Sequence, residues 1–220
     1  MPVLICDLAA VVGEVRLERV YQRLREANGG TLAVSEADQL RDDAFRAFEA
    51  GRLGESEYAR HVRARLQWHG SDADLVAIFA DLYGSVDVAV MEVLLDLRER
   101  DWYLVGLDNR HTSSTAWGGQ YAEQLTVFDR VIAVGAPAAR PDTSSPGLRS
   151  VPSQSGGEDP NDPRFLARVL RDIPTAHGQR LFVAGRPDTV AAARRSGLDA
   201  HLFRGAAGLR SACLALTLTA

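Results

Sequence analysis

The sequence predicts an α/β protein built on a doubly wound parallel sheet, with a helical segment inserted near its start. Apolar runs that stop at polar residues predict buried strands at Val3–Asp7, Trp102–Leu107 and Arg180–Ala184. Helical patterns separate these runs, and such alternation is typical of a parallel sheet. From about residue 14 to residue 84, in contrast, helical patterns follow one another without a strand, which predicts an insertion after the first strand.

Apolar spacing and capping residues predict the individual helices. Four helices are expected in the insertion, with apolar faces formed by Val20 and Leu24, by Leu40, Ala44, Phe45 and Phe48, by Tyr58, Val62 and Leu66, and by Leu75, Ile78, Phe79 and Leu82 after a Ser71 cap. These faces are interpreted as the core of a helical bundle. Beyond the insertion, helices are expected around Val90, Val169 and Val190, and further strands at Phe128–Val134 and His201–Phe203.

Two acidic residues end neighbouring predicted strands. Asp7 ends the first strand, and Asp108 ends the strand at 102–107 and is followed by Asn109, Arg110 and His111. Ligands of open α/β sheets bind at the carboxyl edge, so both acids are candidate site residues. A simple turn cap is the alternative for Asp7.

Composition limits the classes of function. The chain has 220 residues, 46% of them hydrophobic, and a net charge of −4, which speaks against nucleic-acid and anionic-membrane partners. No apolar run reaches the roughly 20 residues of a membrane span and no basic segment precedes the first strand, so a cytoplasmic location is expected. Cys6 and Cys213 make no disulfide framework. All 25 basic residues are arginine.

Three passages carry a resemblance to a known family. They are the segment from Ala44 to Tyr58, the tripeptide Leu107-Asp108-Asn109 and the dipeptide Arg140-Pro141. In order and spacing they resemble the haloacid dehalogenase (HAD) superfamily, in the helical-cap branch of sugar-phosphate phosphatases and epoxide hydrolase N-terminal domains. The resemblance implies a core of residues 1–13 and 85–220 and a cap of residues 14–84. The Pro-, Gly- and Ser-rich stretch 137–163 is expected to be a flexible loop within the core.

The resemblance implies that the chemistry depends on residues in four loops. In the first two loops, this chain keeps one functional group and changes another. Asp7 matches the family nucleophile, which forms a covalent aspartyl intermediate. Ala9 stands where many family phosphatases have a second Asp, although members of this branch often carry glycine there. Asp108 stands where a Ser or Thr hydroxyl binds phosphoryl oxygens, and a carboxylate there repels a phosphate dianion.

The other two loops lack the family's lysine and its metal-binding acids. Arg140 is the nearest substitute for the lysine. The fourth strand runs into Ala184-Gly185, the nearest acid is Asp188, and Arg186 brings a positive charge to the place of the metal. Magnesium binding is therefore expected to be weak or absent, and no cofactor is expected.

The remaining polar residues form the candidate site. Its catalytic residues are Asp7, Asp108 and His111, and its substrate-binding residues are Asn109, Arg110, Arg140 and Arg186. Two carboxylates that meet without a metal titrate as a coupled pair, one of them with a raised pKa. Such a pair supplies an acid and a base near neutral pH.

Three functions stay open. The first is metal-independent acid–base or nucleophilic chemistry on a small, non-phosphorylated molecule; the family's haloacid dehalogenases attack carbon with the same Asp and lack the acidic metal loop. The second is an inert pseudo-enzyme that binds a ligand or a protein, with arginines neutralising both acids. The third is a residual magnesium phosphatase that uses Asp188. The oligomeric state is left open.

Overall fold

The computed structural model describes residues 1–33, 42–44, 47, 53, 55–80, 83–108, 122–133, 163–173 and 178–218. These residues contain a central parallel sheet formed by β1 (Val3–Asp7), β4 (Tyr103–Asp108), β5 (Arg130–Ala133), β6 (Arg180–Ala184) and β7 (Asp199–Leu202). The spatial order of its strands is β5-β4-β1-β6-β7. The predicted doubly wound α/β fold is confirmed.

The central strand β1 is buried on both faces, which explains its continuous apolar sequence. Leu4 and Cys6 join one hydrophobic cluster, whereas Val3 and Ile5 join another. Successive side chains of a strand point to opposite faces, so each face of β1 needs its own apolar residues.

Some of the described helices pack on the two faces of this sheet, and the others form a separate helical group. Those with residues in the two sheet clusters are α1 (Leu8–Val11), α5 (Val88–Glu99), α6 (Ala122–Leu125), α7 (Pro163–Asp172), α8 (Pro187–Arg195) and α9 (Ala206–Leu218). The separate group comprises α2 (Leu17–Ala27), α3 (Glu55–Leu66) and α4 (Asp72–Ala80). None of the helices in the described part of the chain is long and apolar enough to span a bilayer.

The separate helical group has its own hydrophobic cluster. Val20 and Leu24 of α2 are fully buried there against Val62 and Leu66 of α3 and against α4. Ser71 caps α4 as predicted, because the Asp74 amide donates to Ser71 Oγ at 3.1 Å and the Ser71 amide donates back to Asp74 Oδ2 at 3.2 Å. The predicted helix around Leu40–Phe48 falls largely outside the described residues.

Two short strands flank the inserted segment, and neither was predicted from the sequence. β2 (Gly13–Val15) and β3 (Tyr83–Val86) pair antiparallel, although a helical pattern was predicted from residue 14 onward. Strands of three and four residues are too short to show a clear period of two. Helix α9 was also not predicted, and the stretch 137–162 lies outside the described residues.

Candidate functional site

Asp7 and Asp108 end adjacent parallel strands at the middle of the sheet. Asp7 pairs in register with Leu107, so Asp108 lies one position further along the neighbouring strand. On the other side of β1, Cys6 pairs with Val183, which places the end of β6 beside Asp7. The predicted convergence of the two acids is thus present, at the edge where ligands of such sheets bind.

The two carboxyl groups lie in a water-poor environment. Asp108 is only 3% exposed, and Asp7 is partly buried, with its Oδ1 atom buried and without a hydrogen-bond partner. Burial raises the pKa of Asp7 from its ordinary value of 3.8 to about 6. The amides of Ala9 and Ala10 oppose this rise without making a helix-capping hydrogen bond to the side chain.

Two charged neighbours adjust this pKa in opposite directions. The charge of Asp108 raises the pKa of Asp7, and the guanidinium of Arg186 lowers it. Both effects are smaller than that of burial. At neutral pH, Asp7 is therefore mainly ionised, and it is half-protonated at about pH 6.

Arg186 forms an ion pair with Asp188 just beyond β6. Its Nε donates to Asp188 Oδ1 at 3.2 Å and its Nη2 to Asp188 Oδ2 at 2.8 Å. The pKa of Asp188 is lowered, primarily by this hydrogen bond from Arg186. Both side chains are half-exposed, at 50% and 53%.

The residues after β6 do not fit the magnesium ion that the resemblance implies. Ala184 is apolar and fully buried. A Cβ atom on Gly185 would lie 2.6 Å from the Cβ of Ala10, so no carboxylate-bearing side chain fits there without a shift of α1. Asp188 is engaged by Arg186. Among the described residues, no group of three or more His, Cys, Asp or Glu side chains is placed to hold a metal.

Of the predicted site residues, the structure brings together Asp7, Asp108 and Arg186. Asn109, Arg110, His111 and Arg140 lie outside the described residues, so their proximity to Asp7 stays a prediction. In the sequence, Gly185 is distinctive only because the resemblance places a metal-binding acid near this position. Its tight contact with Ala10 was missed, although the small residues Ala9 and Ala10 directly after Asp7 are compatible with a close approach.

A second polar cluster lies in the helical group. The buried Asp42 carboxylate contacts His61 Nε2 at 2.7 Å and Arg65 Nε at 3.2 Å, and it accepts the Ala44 amide at 2.9 Å. Although burial raises the pKa of Asp42, the contacts with His61, Ala44 and Arg65 together hold it below its ordinary value. Neither Asp42 nor His61 is among the site residues that the sequence predicts.

Similarity to known proteins is detected at the level of structure. No protein-family model matches the sequence, and no curated protein matches it significantly. A protein described as a predicted HAD-like family hydrolase from Porphyromonas gingivalis is 14% identical with a TM-score of 0.67, over 99% of this chain and 98% of its own.

Two further structures contain magnesium. A HAD family enzyme from Bacteroides thetaiotaomicron, in complex with magnesium and inorganic phosphate, is 14% identical with a TM-score of 0.63, over 93% of this chain and 94% of its own. YfnB from Bacillus subtilis, bound to magnesium, is 12% identical with a TM-score of 0.62, over 92% and 88%. Such low identities carry the fold and not the activity. The chain therefore has the HAD-like fold that the resemblance in its sequence predicted.

Proposed function

We propose that the protein performs metal-independent acid–base or nucleophilic chemistry, of a hydrolase-like kind, on a small, non-phosphorylated molecule. The observation that carries this proposal is the buried carboxyl pair, in which Asp7 has a pKa of about 6 and an unpartnered Oδ1 atom beside Asp108. A carboxyl group with a pKa near the working pH exchanges protons efficiently in both directions. Asp7 acts as the nucleophile or base, and Asp108 is its partner.

The charge distribution favours a substrate other than a phosphate ester. Asp108 is a second carboxyl group next to Asp7, and two unit negative charges about 4 Å apart in a partly desolvated site repel each other by about 4 kcal/mol. A phosphate dianion would add to this repulsion. A neutral substrate avoids this cost and leaves Asp7 free to attack carbon or to remove a proton.

In the proposed cycle, the ionised Asp7 acts first. Its unpartnered Oδ1 either displaces a leaving group from an electrophilic carbon, giving an aspartyl ester that water hydrolyses to restore the carboxylate, or accepts a proton from the substrate. The carboxyl pair then shares the proton that the substrate or the hydrolytic water gives up, because two adjacent buried carboxyl groups share one proton more readily than they hold two charges. In this proposal His111 exchanges the proton with water.

The helical group α2–α4 is proposed to act as the cap of this site. The inserted segment begins directly after α1, whose first residue follows Asp7, and returns to the core at β3. A cap over the carboxyl edge would exclude water and contact the part of the substrate that does not react. In this proposal the core comprises residues 1–13 and 85–220, and the cap comprises residues 14–84.

A residual magnesium phosphatase is the second candidate, because the Bacteroides thetaiotaomicron enzyme holds magnesium and inorganic phosphate. It would require Asp188 to leave Arg186 and reach Asp7. The half-exposed ion pair of Asp188 argues against this candidate. The inert alternative requires both acids to be neutralised by arginines, and the unpartnered Oδ1 of Asp7 argues against it.

The test compares neutral esters, neutral haloalkanes and phosphate esters as substrates, in EDTA and in magnesium. We expect turnover of at least one carbon-centred substrate in EDTA, with a loss of at least about 100-fold in Asp7→Asn and in Asp108→Asn. Asp199→Asn, an exposed change at the start of β7, is the matched control. Full activity in both site variants contradicts the proposal.

A binding measurement separates the phosphatase candidate. Beryllofluoride with magnesium mimics an aspartyl phosphate, and at 100 times its dissociation constant a ligand stabilises the folded state by about 2.7 kcal/mol. We expect no rise in the melting temperature. A clear rise that disappears in Asp7→Asn would favour the phosphatase.

A further inference from the structure

The end of β6 carries a fixed positive charge where HAD-fold magnesium enzymes need acidic residues. Arg186 follows Gly185, and Gly185 packs against Ala10 of α1, two positions after the residue that begins this helix. Because Cys6 and Val183 are paired in register, the residues beyond β6 emerge beside Asp7. Arg186 is thus held at the same sheet edge as the reactive carboxyl group.

Asp188 fixes the orientation of this arginine. Two hydrogen bonds join the guanidinium of Arg186 to the two carboxylate oxygens of Asp188, and Asp188 Oδ1 also accepts the Thr189 amide at 3.1 Å. Asp188 lies in the first turn of α8, directly after Pro187 at the helix start. A paired planar guanidinium has a defined direction, so the charge is positioned by the local chain itself.

Space and charge at this position together disfavour a metal. The space of a Cβ on Gly185 is taken by Ala10, and Arg186 occupies the carboxylate of Asp188, the nearest acid that could bind a divalent cation. An arginine charge is also permanent, since guanidinium does not lose its proton in proteins. A site that depends on it responds neither to chelators nor to magnesium.

We infer that Arg186 is the built-in cation of this site, which lowers the electrostatic cost of ionised Asp7, and that Asp188 is the positioning residue for Arg186. This inference rests on the proposed function only in taking Asp7 as the reactive group. Arg186 is thereby the described positive charge that favours the ionised form of Asp7. Consequently, the charge state of Asp7 should depend on Arg186 and be independent of divalent cations.

Several described charged groups influence the pKa of Asp7, and a titration must separate the contribution of Arg186 from the others. Asp108 from β4 raises the pKa of Asp7, and Arg186 from the loop after β6 lowers it. Asp188 on α8 is paired with Arg186, and the Cys6 thiol is neutral because burial raises its pKa well above the ordinary value. The experiment therefore changes Arg186 and Asp188 separately and together.

The experiment follows the Asp7 carboxyl carbon by ¹³C NMR as a function of pH, with the resonance assigned from its loss in Asp7→Asn. We expect Arg186→Gln to raise the pKa of Asp7 measurably, by less than the rise that burial causes. Arg186→Lys, which keeps the charge, should raise it less. Arg195→Gln removes an arginine at the far end of α8, the helix that follows Arg186, and should leave the pKa of Asp7 unchanged. Equal pKa values in Arg186→Gln and Arg195→Gln would overturn the inference.

The positioning role of Asp188 is tested by combining variants. In an Asp188→Asn background, where the amide can still accept the Thr189 N–H, Arg186→Gln should change the pKa of Asp7 clearly less than in the native protein. An equal or larger change would show that Asp188 does not position the arginine. If Arg186→Gln does not fold, the half-exposed Arg186→Lys variant gives the same comparison in both backgrounds.

A metal titration completes the test. The pKa of Asp7 in the native protein should be the same in EDTA and in excess magnesium chloride, and a magnesium-dependent drop would overturn the inference. Because NMR needs no turnover, the two proposals fail separately. Absence of activity with an intact response to Arg186 removes only the proposed function, and activity without this response removes only the role of Arg186.

Discussion

Replacing Asp7 by Asn should stabilise the protein at neutral pH. Burial raises the pKa of Asp7 from 3.8 to about 6, so the folded protein holds the charged form at a cost. A rise of about two pH units corresponds to about 3 kcal/mol, because each unit is worth about 1.4 kcal/mol. Asparagine has the same shape and no charge, and it remains an acceptable residue at the start of α1. We therefore expect up to about 3 kcal/mol of added stability at pH 7.5.

The contribution of Asp7 to stability depends on pH in a direction that follows from its raised pKa. Between about pH 4 and pH 6 the folded state binds more protons at Asp7 than the unfolded state, so this group's contribution to stability falls as the pH rises. Above about pH 7 the penalty is complete and constant. The difference in stability between Asp7→Asn and the native protein should therefore be largest at pH 7.5 and disappear towards pH 4.

Urea denaturation at several pH values measures this difference. The other carboxyl groups titrate in both proteins and cancel, and Asp199→Asn controls for the removal of an exposed charge. A pH-independent difference, or an Asp7→Asn protein that is less stable than the native one at pH 7.5, would refute the reasoning. In that case the carboxylate would be stabilised in the folded state, as expected for a structural network.

Three further changes test other parts of the structure. Asp42→Ala should cost about 1–2 kcal/mol in urea denaturation, since it removes the hydrogen-bond acceptor of the Ala44 amide and the partner of the partly exposed His61 and Arg65 side chains. Because the pKa of Asp42 is lowered in the folded state, its contribution should be lost as the pH falls through that pKa, and an unchanged acid transition would contradict this. Gly185→Ala should cost about 1–3 kcal/mol, partly restored by adding Ala10→Gly, whereas no cost would disprove the tight contact. Asp87→Ala removes the acceptor of two amides at the start of α5 and should cost about 1 kcal/mol, with Asp87→Ser as the conservative control.

Local sequence patterns were sufficient to predict most of the frame. The all-apolar run of β1 predicted a strand buried on both faces, and Val3 and Leu4 do pack into opposite clusters. Helical spacing placed Val62 and Leu66 on one buried face, and Ser71 predicted the start of α4. These predictions succeed because periodicity and capping depend on residues only a few positions apart.

Prediction failed where an element was short or had weak local preferences. β2 and β3 lie at opposite ends of the inserted segment, far apart in the chain. They form a ribbon only because this segment brings its two ends together. The pairing of Gly13 with Val86 leaves no periodic pattern in either strand. Helix α9 contains several small residues and was likewise not predicted, although Leu209, Cys213 and Leu216 are buried against the sheet.

The sequence by itself determined the fold class, the positions of Asp7 and Asp108 at strand ends, and the loss of the lysine and of acids at 184 and 185. Only the tertiary structure decided that Asp7 is desolvated enough for a pKa of about 6, that Ala10 fills the space beside Gly185, and that Arg186 is held by Asp188. The physical reason is the range of the forces involved. Strand and helix formation depend on neighbours along the chain, whereas burial, steric exclusion and the field at a carboxylate depend on groups that the fold brings together from β1, β4 and β6.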